Sequence, residues 1–418
     1  MNIKSILLGA AAAAAAASGA QAADLPAAPE PVDYVRVCDA YGSGFYNLPG
    51  TETCLRVQGR IRTEFRVFNF ADDDDAGSGF QDRDEDSTHF RSRGYVRLDT
   101  RAQTEYGLLR TFASLWIQDQ TSGTAPNLEF GFVQFGGLTA GKALSNFEFF
   151  TGYTFAIPQA WGGSDIFTIN QFAYTQSFGN GVSATLAIED GAQTRQQLAV
   201  ANPNTFGPDY LDAYGGHRLP DVVANLRVDQ GWGSAFLAGK LHQVWNDSSV
   251  SAPDDLGATG FQNGTSVALG GTDSELGWGI IGGVLINLPF IAPGDQLAFQ
   301  VGYGEGATGS IVSGVPGATD GVIEADGDIE LTEAFSIGGG FTHNWTPHWS
   351  TNFNANYTDI DAELDEFDIE STSVQGNLVW SPASGFLIGA ELNYTYRDPG
   401  EGSNYDELTG AIRVQRTF

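Results

Sequence analysis

Leu55-Arg56-Val57-Gln58-Gly59-Arg60-Ile61-Arg62-Thr63-Glu64-Phe65-Arg66-Val67 reads in twos. Its odd positions are apolar or small, and every even position is Arg, Gln or Glu. Successive side chains of a β-strand point to opposite faces, so the stretch predicts a strand with one apolar and one charged face. Phe90 to Gln103 repeats the pattern. Phe90, Ser92, Gly94, Val96, Leu98, Thr100 and Ala102 share one face; Arg91, Arg93, Tyr95, Arg97, Asp99, Arg101 and Gln103 share the other. Both runs exceed the usual strand of about 5–6 residues. They reach the length of about 9–11 residues with which a tilted strand crosses a bilayer.

The start of the chain points the same way. Lys4, the apolar run Ile6 to Ala17, and Ala20-Gln21-Ala22 together read as a secretory signal over residues 1–22, with the mature chain starting at Ala23. No later run has the 18 or more uninterrupted apolar residues of a transmembrane helix. A soluble sandwich alternates too. An exported chain that crosses a bilayer without such a helix, however, must do so as a closed barrel, because lipid satisfies no open sheet edge.

The connections set the strand number. Seven short ones carry Gly or Pro turn chemistry: Glu105 to Gly107, Gly136 to Leu138, Gly179 to Gly181, Gln230 to Gly233, Pro289 to Asp295, Trp345 to Trp349 and Ser381 to Gly385. Eight longer polar loops alternate with them, at 71–88, 121–127, 147–165, 191–220, 246–274, 306–331, 362–369 and 398–404. The expected fold is therefore all-β: a transmembrane antiparallel barrel of sixteen strands over residues 55–418, with short periplasmic turns and long extracellular loops. Trp232, Trp345, Trp349 and Trp380 lie at the short turns, where an interfacial girdle belongs. The chain closes on Phe418, on one face with Ile412 and Val414, while Arg416 breaks the alternation.

Composition excludes other classes. Asp and Glu total 51 against 20 Lys and Arg, for a net charge of −31, so nucleic acid is not an expected partner. Hydrophobic residues at 42% are too many for a disordered acidic chain. No cofactor or metal is expected. Gly302-Tyr303-Gly304-Glu305-Gly306 precedes no helix, Asp326-Gly327-Asp328 lacks the spaced ligands of a calcium loop, and the five His are scattered.

Asp33-Tyr34-Val35-Arg36-Val37-Cys38-Asp39-Ala40-Tyr41-Gly42, with Pro49-Gly50-Thr51-Glu52-Thr53-Cys54-Leu55-Arg56-Val57, closely resembles the start of the alphaproteobacterial (rhizobial-type) outer-membrane porins. Phe150 to Tyr153, Leu219 to Val223 and Val414 to Phe418 extend the likeness along the chain. The resemblance implies a homotrimeric porin that passes small hydrophilic solutes and ions. Its partners would be outer-membrane lipid, lipopolysaccharide and the barrel assembly machinery. Cys38 and Cys54, the only cysteines, are expected to form a disulfide that staples residues 23–54 into a periplasmic lead-in, worth about 3 kcal/mol on the chain-entropy view. A redox role is the rival, but no C-x-x-C is present.

On a barrel the arginine face must be the lumen, since Arg facing lipid at midplane costs roughly 2–4 kcal/mol. The expected basic wall is Arg56, Arg60, Arg62, Arg66, Arg91, Arg93, Arg97, Arg101 and Arg110, with Glu64 and Asp99 in its ladder. The loop after the fifth strand, which folds inward in the porin family, is the expected constriction, carrying Phe147, Glu148, Phe149, Phe150, Tyr153, Phe155, Trp161 and Asp165. Acid runs in the other loops, such as Asp72 to Asp75, predict a negative vestibule and a weak cation preference. The alternatives are a substrate-selective channel for sugar or phosphate, which a lumenal ladder of exposed aromatics would favour, a barrel enzyme using His89 beside Asp86 and Ser87, and an adhesin.

Overall fold

The computed structural model describes residues 37–68, 70, 87–120, 123–155, 168–200, 213–247, 249–251, 266–268, 273–312, 315–324, 327–400 and 404–418. The proposed signal at 1–22, Trp161 and Asp165 lie outside these residues.

Sixteen long strands run antiparallel around a ring. They are β1 (Cys54–Val67), β2 (Thr88–Thr104), β3 (Gly107–Gln120), β4 (Gly123–Phe135), β5 (Leu138–Leu144) and β6 (Thr168–Gly179). Then follow β7 (Val182–Glu189), β8 (Asp221–Gln230), β9 (Gly233–Trp245), β10 (Ser274–Asn287) and β11 (Gln296–Glu305). The ring is completed by β12 (Glu333–Thr346), β13 (Trp349–Asp361), β14 (Ile369–Ala383), β15 (Phe386–Pro399) and β16 (Tyr405–Thr417). Each pairs with its neighbours in sequence, and β1 closes the ring on β16, from Arg60 opposite Thr417 to Val67 opposite Gly410. Closure matters because every backbone donor and acceptor at membrane depth then has a partner.

Binary patterning fixes the two surfaces. On β10, Trp278, Ile280, Val284 and Ile286 are exposed on the outside, while Gly279 and Ile281 are buried on the inside. The four expected girdle tryptophans are all exposed, and Trp349 stacks against Trp380 across the β13–β14 pair. The terminal residue completes the seam. The Phe418 and Gly59 backbones exchange N–H···O bonds of 2.8 and 2.9 Å, and the Phe418 ring lies where a side chain on residue 59 would stand.

The expected disulfide joins Cys38 to Cys54. It closes a lead-in whose two-residue strand Tyr46–Asn47 pairs with the first residues of β1, around the buried Phe45. One connection departs from expectation. The long loop at 121–127 is two residues, 121–122, because Gly123 to Asn127 continue β4 in register with Trp116 to Gln120. Those residues are small or polar and all exposed, as suits a strand that rises past the apolar band. The loops at 191–220 and 306–331 carry structure of their own: Gln197–Val200, Thr319–Ile323 and Ile329–Leu331 form a three-stranded sheet.

Candidate functional site: an arginine-walled eyelet

The nine expected arginines share one face of β1, β2 and β3, and three carboxylates hold eight of them. Glu64 is fully buried and meets Arg66 at 3.0 Å, Arg413 at 2.5 Å, Arg62 at 3.9 Å and, closest of all, Arg91. Asp99, also buried, meets Arg56 at 3.4 Å and both Arg101 and Arg110 at 3.0 Å. Glu129 meets Arg97 at 3.1 Å and Arg60 at 3.9 Å, and accepts a hydrogen bond from Ser114 Oγ. Arg93 donates to Gln118 and to the Tyr95 hydroxyl. Clustered guanidiniums repel, and each shared carboxylate offsets part of that cost while leaving the wall net positive. Aromatic rings hold the cations further: the Arg60 guanidinium carbon lies 3.7 Å from the Tyr95 centroid, and that of Arg93 lies 4.1 Å from Trp116.

Two members of this wall escaped the sequence reading. Arg413 was recognisable, because it lies on the face of β16 opposite Ile412 and Val414. Glu129 was not. A bulge between β3 and β4 leaves Leu115 opposite Leu128 and Ser114 opposite Phe130, so Glu129 is the extra residue and reaches the lumen where strict alternation would send it to lipid.

The constriction loop runs inward from β5. Its described part, Ser145 to Phe155, crosses the lumen along the far wall, held by acceptors from successive strands. Glu189 of β7 takes Ser145 Oγ and the Asn146 N–H at 2.8 and 2.7 Å. Gln300 of β11 accepts from the Phe150 N–H at 3.0 Å, and Asn354 of β13 from the Tyr153 N–H at 3.1 Å. Glu391 of β15 accepts from the Phe155 N–H, and Arg413 donates to the Phe155 carbonyl at 2.9 Å. The ring edges of Phe147, Phe149, Phe150 and Phe155 lie against Gly279, Gly283, Gly340 and Gly389, where any larger residue would displace them. Of the expected constriction residues, Phe147, Glu148 and Phe150 are buried and Phe149 and Tyr153 are partly so.

A second insert joins it. The short helix Thr308–Ile311 places Ile311 on lumenal Gly279, Gly302 and Gly304, packed with Phe147. A buried polar cluster fastens this segment and the loop after β7 to the wall. Lys240 Nζ reaches Asp221 at 2.6 Å, Ser310 Oγ at 2.8 Å and Thr194 Oγ1 at 2.9 Å. His242 bridges Asp221 and the Tyr214 hydroxyl, at 2.7 and 2.9 Å. Asp320 accepts from the backbone of Gln196 and Thr308, at 2.8 and 3.0 Å. Burial pushes the Asp320 carboxyl above its ordinary range.

With β8–β12 covered by these inserts, open space remains against β1–β6 and β16. A cavity of about 570 Å³ lies there, between the arginine wall and loop residues Thr151 to Phe155. Six arginines and Lys142 line it, against the one carboxylate of Glu129 among its described lining. A closed barrel with a greasy exterior, girdled by tryptophan and holding a polar eyelet inside, defines an outer-membrane channel.

Comparison with known proteins narrows the class to a family. The Porin subfamily model matches residues 23–411, and the chain belongs to that family. It is 31% identical to porin Omp2b of Brucella suis over 448 residues, covering all of both chains. It is 40% identical to porin Omp2b of Brucella abortus (strain 2308) over 276 residues, which is 62% of this chain and 71% of the relative. Among solved structures it resembles the outer membrane channel DcaP of Acinetobacter baumannii, with a TM-score of 0.66 at 15% identity, covering 88% of this chain and 97% of that one. It also resembles the trimer form of OmpT of Vibrio cholerae, with a TM-score of 0.54 at 12% identity, covering 88% and 100%. The chain is thus an outer-membrane porin, a multi-pass β-barrel and a channel by family.

Proposed function

We propose that this porin passes small hydrophilic solutes and ions by passive diffusion through the eyelet between the arginine wall and Thr151 to Phe155, without catalysis. The observation that carries the reading is the cavity bounded on one side by seven cations and on the other by a loop pinned across the lumen. It works as a homotrimer seated in lipopolysaccharide and lipid, delivered by its N-terminal signal and the barrel assembly machinery, with residues 23–54 as a periplasmic lead-in. The nine wall arginines, with Arg413, set the field, and Phe147 to Tyr153 set the aperture.

The sign of the selectivity follows from position. The acid surplus of the chain argues for weak cation preference. The described eyelet lining argues for anions, and the eyelet decides: across an aperture of about 10 Å an ion is never more than about 5 Å from the wall, inside the screening length of about 8 Å at physiological salt, whereas loop acids act from further off. Reversal potentials in a KCl gradient across planar bilayers test this. A chloride-selective sign supports the eyelet reading; a potassium-selective sign returns control to the acidic vestibule. Conductance that no sugar or phosphate saturates separates free diffusion from a substrate-selective channel.

A further inference from the structure

Three phenyl rings face the lumen beside the eyelet, where a water-filled wall calls for polar side chains. Phe112 of β3 stands opposite Phe132 of β4, with ring centroids 5.5 Å apart, and Phe130 lies 5.8 and 6.4 Å from them. All three are partly exposed, and none belongs to a buried core cluster among the described residues. The bulge that turns Glu129 inward also keeps Phe130 on the lumenal face, where it lines the eyelet cavity.

Positive charge frames the patch. The Arg110 guanidinium carbon lies 5.1 Å from the Phe112 centroid and 5.5 Å from that of Phe132. Arg110 shares Asp99 with Arg56 and Arg101, three cations to one carboxylate. On the other side Arg97 shares Glu129 with Arg60, two cations to one carboxylate. Uncompensated cationic charge therefore stands at both ends of an apolar surface that water wets poorly.

We propose that Phe112, Phe130 and Phe132, with Arg97 and Arg110, form a binding subsite for amphipathic organic anions: a carboxylate carried on a flat ring. The ring of the solute lies on the phenyl patch while its carboxylate pairs with the surplus cationic charge of the guanidiniums around Asp99 and Glu129. This deepens the pore reading and rests on it: a solute held briefly here is concentrated at the eyelet relative to acetate of the same charge or benzyl alcohol of the same ring.

The test uses the full-length porin in planar bilayers, with benzoate, acetate and benzyl alcohol each added to KCl. Benzoate is expected to interrupt the current with an apparent affinity about ten-fold above that of acetate, the effect of one added ring contact, while benzyl alcohol leaves it unchanged. Phe132→Ser and the pair Phe112→Ser/Phe132→Ser are expected to abolish the difference between benzoate and acetate, with KCl conductance within about two-fold of the parent. Equal block by benzoate and acetate overturns the subsite, as does undiminished benzoate block in channels of the double variant. The solute comparison on the unaltered chain decides the matter even where a variant does not insert. An open KCl channel without benzoate block defeats the subsite alone; no KCl conductance at all defeats the pore reading beneath it.

Discussion

Replacing Gln300 and Asn354 together by Leu would unpin the constriction loop while leaving the barrel ladder whole. Gln300 accepts the Phe150 N–H at 3.0 Å; Asn354 accepts the Tyr153 N–H at 3.1 Å and donates to Thr154 Oγ1 at 2.8 Å. A buried N–H left without an acceptor costs about 1–3 kcal/mol, so the pair of changes weakens docking by about 2–6 kcal/mol. The aromatic seats on Gly283 and Gly340 remain, so the loop still visits the wall but no longer holds it. Sixteen strands spaced about 4.8 Å and tilted about 40° give a backbone diameter near 32 Å, or roughly 20 Å free of side chains, against an eyelet of about 10 Å. Area scales as the square, so a released loop would raise conductance up to about four-fold; the second insert behind it limits the gain to about two-fold in the larger part of events. Single-channel recording in KCl is the assay, with heat-dependent electrophoretic mobility confirming the folded barrel. Larger, noisier openings are expected. A correctly folded double variant with parental conductance and parental noise would refute the view that these side chains set the aperture.

Three further outcomes follow from the same contacts. Glu64→Gln strands four guanidiniums around a buried site; a loss of about 3–5 kcal/mol is expected in urea unfolding followed by tryptophan fluorescence, partly restored in Glu64→Gln/Arg91→Gln. Lys240→Met leaves Asp221 with His242 as its remaining described ion partner and is expected to release the two inserted loops, read as trypsin cleavage at Arg195 or Arg218 in liposomes where the parent resists. In the short turn before β11, burial raises the Asp295 carboxyl, but bonds from the Asn344 backbone and from the His343 and Asn344 side chains outweigh it and hold the group below the ordinary carboxylate range. Because the folded value is depressed, its stabilisation is complete above the unfolded value of about 3.9 and is lost as pH falls through the folded one. Protection of the Asn344 amide against hydrogen exchange should therefore decline below about pH 4, and Asp295→Asn should remove that dependence; a decline unchanged in the variant would count against it.

Much of the barrel was legible because a membrane strand must alternate. Parity alone grouped nine arginines on one strand face, and the spacing of turns gave sixteen strands. The error at 121–127 has the same root. The loss of large apolar residues, with Gly and Pro among them, reads as loop, yet Gly123 to Asn127 of β4 stay paired to β3 beyond that point. Glu129 was beyond reach because a bulge shifts parity by one, and nothing in Leu128-Glu129-Phe130 announces it. The glycines that seat the loop were equally silent, since a strand glycine looks the same whether it faces lipid, water or a phenyl ring.

Outside the bulge at Glu129, the amino-acid order by itself settled what a strand shows to lipid and what it shows to water, since a two-residue period is a local property. Tertiary structure decided which lumenal side chains meet. Glu64 gathers Arg413 from 349 positions away only because the ring closes, and Phe150 finds Gln300 only because a loop crosses the bore. Closure and crossing are long-range events, so the charge and width of the eyelet are written in the assembled barrel and in no single segment of the chain.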